Sequence, residues 1–137
     1  MGLRRERGSV KLLFLVLGGA SGTLARFAVS VSLTPRLLAL QPGGPWALLG
    51  ATLLVNLGGA LLLGYLSAQS HTWPTPNWRI GLAAGFCGAF TTFSTFSLEL
   101  VTLWNTGHQA AAVLYWLGSS AGGIGAILLG QQLARSV

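Results

Sequence analysis

The sequence contains very little charge. Of its 137 residues, 7% are charged and 52% are hydrophobic, whereas an average soluble domain is about 25% charged. A chain this poor in charge could not cover its own surface with solvated groups, and its mean hydropathy of +0.65 agrees. The composition therefore argues against a water-soluble domain and indicates a membrane protein.

Cysteine and acidic residues are also scarce. The single cysteine, Cys87, excludes an intrachain disulfide and a multi-cysteine metal site, and we expect a small buried hydrophobic residue there. The chain has no paired carboxylates, no phosphate-binding glycine loop and no nucleophile with a base and an orienting group. The sequence therefore predicts neither an enzyme nor an ATP-driven pump.

Basic residues are concentrated at the N-terminus. The net charge is +6, and half of the eight basic residues lie within residues 1–11. The basic residues of this arm are Arg4, Arg5, Arg7 and Lys11. Next to an apolar segment, such a cluster is typical of a membrane boundary and not of a nucleic-acid-binding face.

Four apolar segments are long enough to cross a membrane, which takes roughly 20 residues. They run over about residues 12–33, 46–67, 79–104 and 110–133. Prolines and glycines predict an external connector over 34–45, a loop over 69–77 and a short turn over 105–108. We therefore expect one all-α integral membrane domain spanning residues 1–137, with no soluble domain.

The first span could also be a cleaved signal peptide, because a basic start precedes a leucine-rich core. However, Arg26 and the continuing apolar run make cleavage near residues 20–22 less natural than retention. We expect the segment to be retained as a transmembrane helix.

The third span contains a stretch, residues 85–97, with neither a helical stripe nor a strand alternation. Gly85 and Gly88 tolerate unusual backbone conformations, and five nearby hydroxyl side chains can hydrogen-bond freed backbone groups. Unwound backbone at mid-membrane depth is tolerated only where it is buried inside the protein or lines a polar cavity. The stretch therefore predicts a broken helix and a candidate site.

Small residues recur every four positions in three helices, which predicts close helix packing in lipid. They are Gly18 and Gly22, Gly81 and Gly85, and the row Gly118, Gly122, Ala126 and Gly130.

Three polar residues are costly inside a membrane, so function is the first hypothesis for each. They are Arg26, Asn56 and Glu99. The alternatives are snorkelling of the arginine to the interface, an interfacial position for the glutamate, and a plain interhelical hydrogen bond from the asparagine.

Further polar residues share helix faces. Thr92, Phe96 and Glu99 fall on one face, as do Tyr115 and Ser119. A track of hydroxyls and amides that carries no fixed anion is what a desolvating anion could follow. The positive ring edges of Phe93 and Phe96 could receive an anion, although such a pair is also typical of packing.

Three segments together resemble the CrcB, or Fluc, fluoride channel family. They are residues 18–27 (GGASGTLARF), 50–56 (GATLLVN) and 85–97 (GFCGAFTTFSTFS). The resemblance implies an antiparallel dual-topology dimer that exports toxic fluoride passively through the cell membrane of a microbe. It also implies broken third helices that cross around a structural sodium ion.

The same resemblance implies roles for particular residues. Phe93 and Phe96 would face the fluoride track, and Asn56 would donate to the ion. Hydroxyls near the ion would come from Thr52, Ser94 or Thr95, Tyr115 and Ser119. The acidic residue beside the pore would be Glu99, the vestibule residue would be Arg26, and the sodium ligands would be the backbone carbonyls of Gly88 and Thr91.

Two other functions are compatible with four spans. A proton-coupled small multidrug antiporter is also a four-span dimer, but it would want a carboxylate near mid-membrane, and Glu99 lies late in its span. A scaffold subunit would leave Arg26, Asn56 and the threonine-rich break unexplained.

The charge distribution bears on the dimer. Six basic residues fall on the side of the termini, and only Arg36 falls on the other side. This bias predicts cytoplasmic termini, whereas a chain that inserts in both directions should show little bias. The partner is therefore either an antiparallel copy of this chain, which we favour, or a homologous subunit inserted oppositely.

Overall fold

The computed structural model describes residues 2–40, 46–69 and 76–136, and it describes side chains from residue 8 onward apart from 41–48 and 70–75. All regular structure in these ranges is helical. The elements are α1 (Gly2–Leu40), α2 (Trp46–Ala68), α3 (Pro76–Arg79), a π-helical segment π1 (Ile80–Cys87), α4 (Gly88–Phe90), α5 (Phe93–Asn105) and α6 (Gln109–Arg135).

Four segments of these helices are long and apolar enough to cross a membrane, which confirms the predicted spans. They are Gly8–Leu40, Leu49–Ala68, Pro76–Asn105 and Gln109–Arg135. The predicted turn at 105–108 is also confirmed: Gly107 has φ 84°, and the His108 amide donates to the carbonyl of Leu103 at 2.8 Å.

Two boundaries differ from the sequence prediction. The helix α1 continues to Leu40 with Pro35 inside it, so the external connector does not begin at Thr34. Packing explains the extension, because a methyl group at Gly50 of α2 would come within 2.7 Å of the Leu37 side chain. Pro76 was predicted to lie in a loop but begins α3, a position where its missing N–H costs nothing. Residues 41–45, the end of the predicted connector, and residues 70–75, most of the predicted loop, lie outside the described residues.

The third span is broken as predicted, at Thr91 and Thr92. Thr91 has ψ 158°, and Thr92 has φ −145° and ψ 114°, so both are extended. The attribution of the break to glycine was wrong, because Gly88 is helical at φ −63° and ψ −34° and Gly85 lies within π1. Side-chain hydroxyls end the helices instead. Thr91 Oγ1 donates to the Cys87 carbonyl at 2.9 Å, and Thr92 Oγ1 accepts from the Thr95 amide at 3.2 Å.

The glycines of the third span bring it close to α1. A Cβ at Gly18 would overlap the carbonyl of Gly81, and one at Gly22 would overlap the carbonyl of Phe86. A Cβ at Gly85 would come within 3.1 Å of the Gly18 Cα atom. The two predicted glycine pairs therefore face each other and are confirmed as a packing motif.

The glycine row of α6 serves packing only in part. A Cβ at Gly130 would overlap the carbonyl of Leu61 in α2, and one at Gly122 would lie 3.1 Å from Leu57. Gly118 has open space around it. The row therefore packs against α2 at its C-terminal end and leaves its N-terminal end free.

The described residues form a core between α2, α5 and α6. Its buried members are Leu49, Phe96, Leu103, Ala112 and Tyr115. Cys87 is 1% exposed, which confirms the expectation of a buried thiol. This core holds the break of the third span against α2 and α6.

Candidate functional site

One side-chain amide holds the break of the third span. Asn56 Nδ2 donates to the Thr92 carbonyl at 3.2 Å, and Oδ1 accepts from the Thr92 amide at 2.8 Å. The Thr92 amide precedes α5 and has left the helix before it, and an unpaired backbone group in a membrane interior costs several kcal/mol. Asn56 on α2 therefore stabilises the extended conformation. Its second amide hydrogen has no acceptor among the described residues.

A groove of about 280 Å³ opens beside this amide. The residues that line it come from α2, the break, α5 and α6. They are Asn56, Thr91, Thr92, Phe93, Phe96, Ser119 and Ser120.

Ser119 contributes an unusual group to the groove. Its hydroxyl oxygen is buried, yet no other described residue forms a hydrogen bond with it. Nearly all buried polar groups in proteins are paired, with protein or with something bound. The unpaired hydroxyl therefore indicates a place where a hydrogen-bonding ligand or water belongs.

The two phenylalanines of the break lie in different environments. Phe96 is 8% exposed and packs on Tyr115 with ring centroids 5.1 Å apart. Phe93 is 80% exposed, and its ring centroid lies 6.1 Å from that of Phe96. Phe96 is thus part of the core as well as of the groove wall, whereas Phe93 projects from the single chain.

A carboxylate cluster lies next to the groove. Thr52 Oγ1 donates to Glu99 Oε1 at 2.6 Å, and the Tyr115 hydroxyl donates to Glu99 Oε2 at 2.7 Å. Glu99 therefore joins α2, α5 and α6 inside the bundle.

The groove and the cluster are two polar levels of one arrangement. On α2, Asn56 and Thr52 are four residues apart, and on α6 Ser119 and Tyr115 have the same spacing. Such spacing places two side chains on one helix face, separated by about 6 Å along the axis. Phe96 lies between the levels, because it lines the groove and contacts Tyr115.

Other predicted residues are not part of either level. Ser94 and Thr95 are exposed, and their hydroxyl oxygens lie 3.3 and 2.9 Å from Thr92 Oγ1. They therefore belong to the first turn of α5 and not to the groove wall. Arg26 is half-buried on α1, and it lines neither the groove nor the cluster.

Two groove residues were missed as site candidates from the sequence. Thr92 had been placed on the polar face, but its pairing with Asn56 was not predicted. A signal existed, since a threonine that leaves a helix and caps the next one needs partners for its backbone, and Asn56 is the only amide side chain in span two. Ser120 follows Ser119 directly, but helix periodicity places it on another face.

Comparison with known proteins shows the family of the chain. The model of the family described as "CrcB-like protein, Camphor Resistance (CrcB)" matches residues 13–131. The chain belongs to the CrcB family. With its four spans, this membership makes it a multi-pass membrane protein.

Relatives of this CrcB protein are named for ion conduction. "Fluoride-specific ion channel FluC 2" of Moorella thermoacetica is 43% identical over 125 residues, which cover 91% of this chain and 97% of the relative. "Fluoride-specific ion channel FluC" of Chlorobium phaeobacteroides is 40% identical over 126 residues, covering 90% and 92%. The protein of the same name from Nitrobacter winogradskyi is 37% identical over 128 residues, covering 92% and 96%.

Proposed function

We propose that this CrcB protein is a passive fluoride channel of the cell membrane that exports fluoride from the cytoplasm and lowers its toxicity. The observation that carries the proposal is the groove at the break, where Ser119 offers a buried hydroxyl and Asn56 an amide hydrogen, neither of them in a hydrogen bond with another described residue. The relatives are named as fluoride-specific channels, and fluoride is an anion that such donors can bind.

Fluoride is small and strongly hydrated, so a pore must replace its water with hydrogen-bond donors. The groove provides such donors on α2 and α6 and presents no lysine or arginine that would trap the anion. The edges of Phe93 and Phe96 carry partial positive charge and would complete the wall. Weak donors in series are what passive conduction needs, and no catalytic step has a role in this function.

The carboxylate cluster would form the second step of the pathway. The hydroxyls of Thr52 and Tyr115 both donate to Glu99. An anion that leaves the groove past Phe96 would accept the hydrogen bonds that Thr52 and Tyr115 otherwise donate to Glu99. We therefore assign Thr52, Tyr115 and Glu99 to the exit of the pathway, and Arg26 to the vestibule, where it would attract anions.

A structural sodium ion fits the backbone at the break. In a continuous helix the Gly88 carbonyl would accept from the Thr92 amide, which here donates to Asn56. Thr91 leaves helical geometry at ψ 158°, so its carbonyl also leaves the helical direction. Backbone oxygens of this kind are hard ligands suited to Na⁺. We assign the Gly88 and Thr91 carbonyls to this ion, which would hold two third spans together.

We propose that the channel is an antiparallel homodimer. Phe93 is 80% exposed beside the groove, and Gly88 is exposed with open space around its Cα atom. A second copy would cover this face and complete the groove wall. A homologous subunit inserted oppositely would cover the same face.

A proton-coupled multidrug antiporter is the second candidate, because Glu99 lies inside the bundle. A bacterial strain without its fluoride exporters separates the two functions. Expression of this chain should restore growth in fluoride and should not change resistance to toxic lipophilic cations. Resistance to the cations without growth in fluoride would favour the antiporter and contradict the channel.

A further inference from the structure

One corner of the bundle carries two exposed cations beside an exposed tryptophan. Trp78 of α3 is 47% exposed and meets Phe14 of α1 edge to face, with ring centroids 5.2 Å apart. Lys11 lies one helical turn before Phe14, and Arg79 directly follows Trp78. Both basic side chains are exposed. The aromatic contact therefore brings a lysine of the first span and an arginine of the third span to the same corner.

No carboxylate neutralises this corner among the side chains that the structure describes. Glu99 is the acidic residue among them, and its oxygens accept from Thr52 and Tyr115 in the core. Within that same set, neither Lys11 nor Arg79 forms an ion pair. Two uncompensated cations on adjacent elements attract an anionic partner.

The helix α1 places the corner at the membrane surface. Its 39 residues extend about 58 Å at 1.5 Å per residue, well beyond the roughly 30 Å of a hydrocarbon core. Lys11 lies where the basic arm meets the apolar run that begins at Leu12. Tryptophan is enriched at this depth, and a span that starts there would place both cations at the level of the lipid phosphates.

We propose that Lys11, Trp78 and Arg79 bind the headgroup of one anionic phospholipid. Its phosphate would accept hydrogen bonds from the ammonium and the guanidinium at once, and the indole would lie against its glycerol region. Because the cations belong to different spans, the bound lipid would link α1 to α3. Just below, Gly18 meets Gly81, so the link would reinforce the packing that supports the broken span.

Native mass spectrometry of the purified full-length protein tests the site with phosphatidylglycerol as the probe. A basic residue near an anionic lipid surface contributes roughly fivefold to binding, so Lys11→Gln with Arg79→Gln should weaken retention of the most tightly held lipid by roughly 30-fold. The control is Arg36→Gln with Arg135→Gln, which removes the same charge from two exposed positions elsewhere. It should retain the lipid as the unmodified chain does.

Two further measurements keep the test decisive. Phosphatidylglycerol should raise the melting temperature of the unmodified chain, whereas phosphatidylcholine and soluble glycerol phosphate should not. High salt should remove the effect, because the contacts are ionic and exposed. Equal lipid retention in both double variants would overturn the proposal, and so would a salt-independent effect in the unmodified chain. The salt measurement needs no variant to fold.

Discussion

Replacing Asn56 by leucine tests the physical basis of the break. The two side chains are similar in size, but leucine can neither accept from the Thr92 amide nor donate to the Thr92 carbonyl, bonds of 2.8 and 3.2 Å. Leaving a buried polar group unpaired costs about 1–3 kcal/mol. We therefore expect Asn56→Leu to lower the free energy of unfolding by roughly 2–6 kcal/mol and to abolish fluoride flux.

Two other substitutions separate this explanation from a general effect of mutating α2. Asn56→Asp keeps the acceptor for the Thr92 amide, loses the donor and adds a charge inside the membrane, so it should cost at least about 1–3 kcal/mol and block an anion through its charge. Ser67→Ala on α2 removes a long, exposed interhelical hydrogen bond from Gln131, at 3.4 Å, and the hydroxyl's local bond to the Gly64 carbonyl, at 2.7 Å. Because such a local bond in a helix adds little stability, the substitution should cost at most about 0.5 kcal/mol.

The assays are unfolding in detergent and fluoride efflux from vesicles, measured on the same preparations. If Asn56→Leu is as stable as Ser67→Ala, the amide does not hold the break and the reasoning is refuted. The same conclusion follows if Asn56→Leu conducts fluoride at the unmodified rate.

Four further predictions concern the groove and its assembly. Ser119→Ala should slow fluoride efflux at least tenfold with little change in melting temperature, since its hydroxyl forms no hydrogen bond with another residue in the described part of the chain; equal efflux would remove the serine from the pathway. Phe93→Ile and Phe96→Ile should each stop efflux by removing a ring edge, and Phe96→Ile should also lower the melting temperature, because Phe96 is only 8% exposed within the chain; unchanged efflux in both would reduce the pair to packing. Exhaustive removal of sodium should weaken efflux or dissociate the dimer, as seen by electrode and by size-exclusion chromatography, and an unaffected active dimer would contradict the ion's structural role. C-terminal reporters should be active on both sides of the membrane for the homodimer, whereas a signal from the cytoplasm alone, with no conduction by the purified chain, would require a partner subunit.

The spans and the existence of the break could be predicted because they follow from local composition. Runs of about 20 apolar residues and a cluster of hydroxyl residues are visible without tertiary contacts. The cause of the break was less accessible. Gly85 and Gly88 were predicted to allow the break because glycine has conformational freedom. However, the position of Gly85 is determined by helix packing, because it lies against Gly18. The extended residues Thr91 and Thr92 are held partly by Asn56, 36 positions away.

The sequence could not predict either which hydroxyls are already hydrogen-bonded within the protein and which are free to bind an ion. Thr52, Tyr115 and Ser119 are alike in the sequence as polar residues in apolar spans. The structure separates them, because Glu99 receives bonds from Thr52 and Tyr115 and leaves Ser119 unpaired. That difference depends on where α5 lies between α2 and α6, which a helical pattern in one span does not specify.

The most direct test of the proposed function is fluoride release from vesicles that contain only the purified chain. Vesicles loaded with potassium fluoride would be diluted into fluoride-free buffer, and a fluoride electrode would follow efflux after valinomycin is added. We predict rapid release that needs neither ATP nor a proton gradient, together with retention of chloride in parallel vesicles. If folded protein releases no fluoride, or releases it only when a proton gradient is imposed, the chain alone is not a passive fluoride channel.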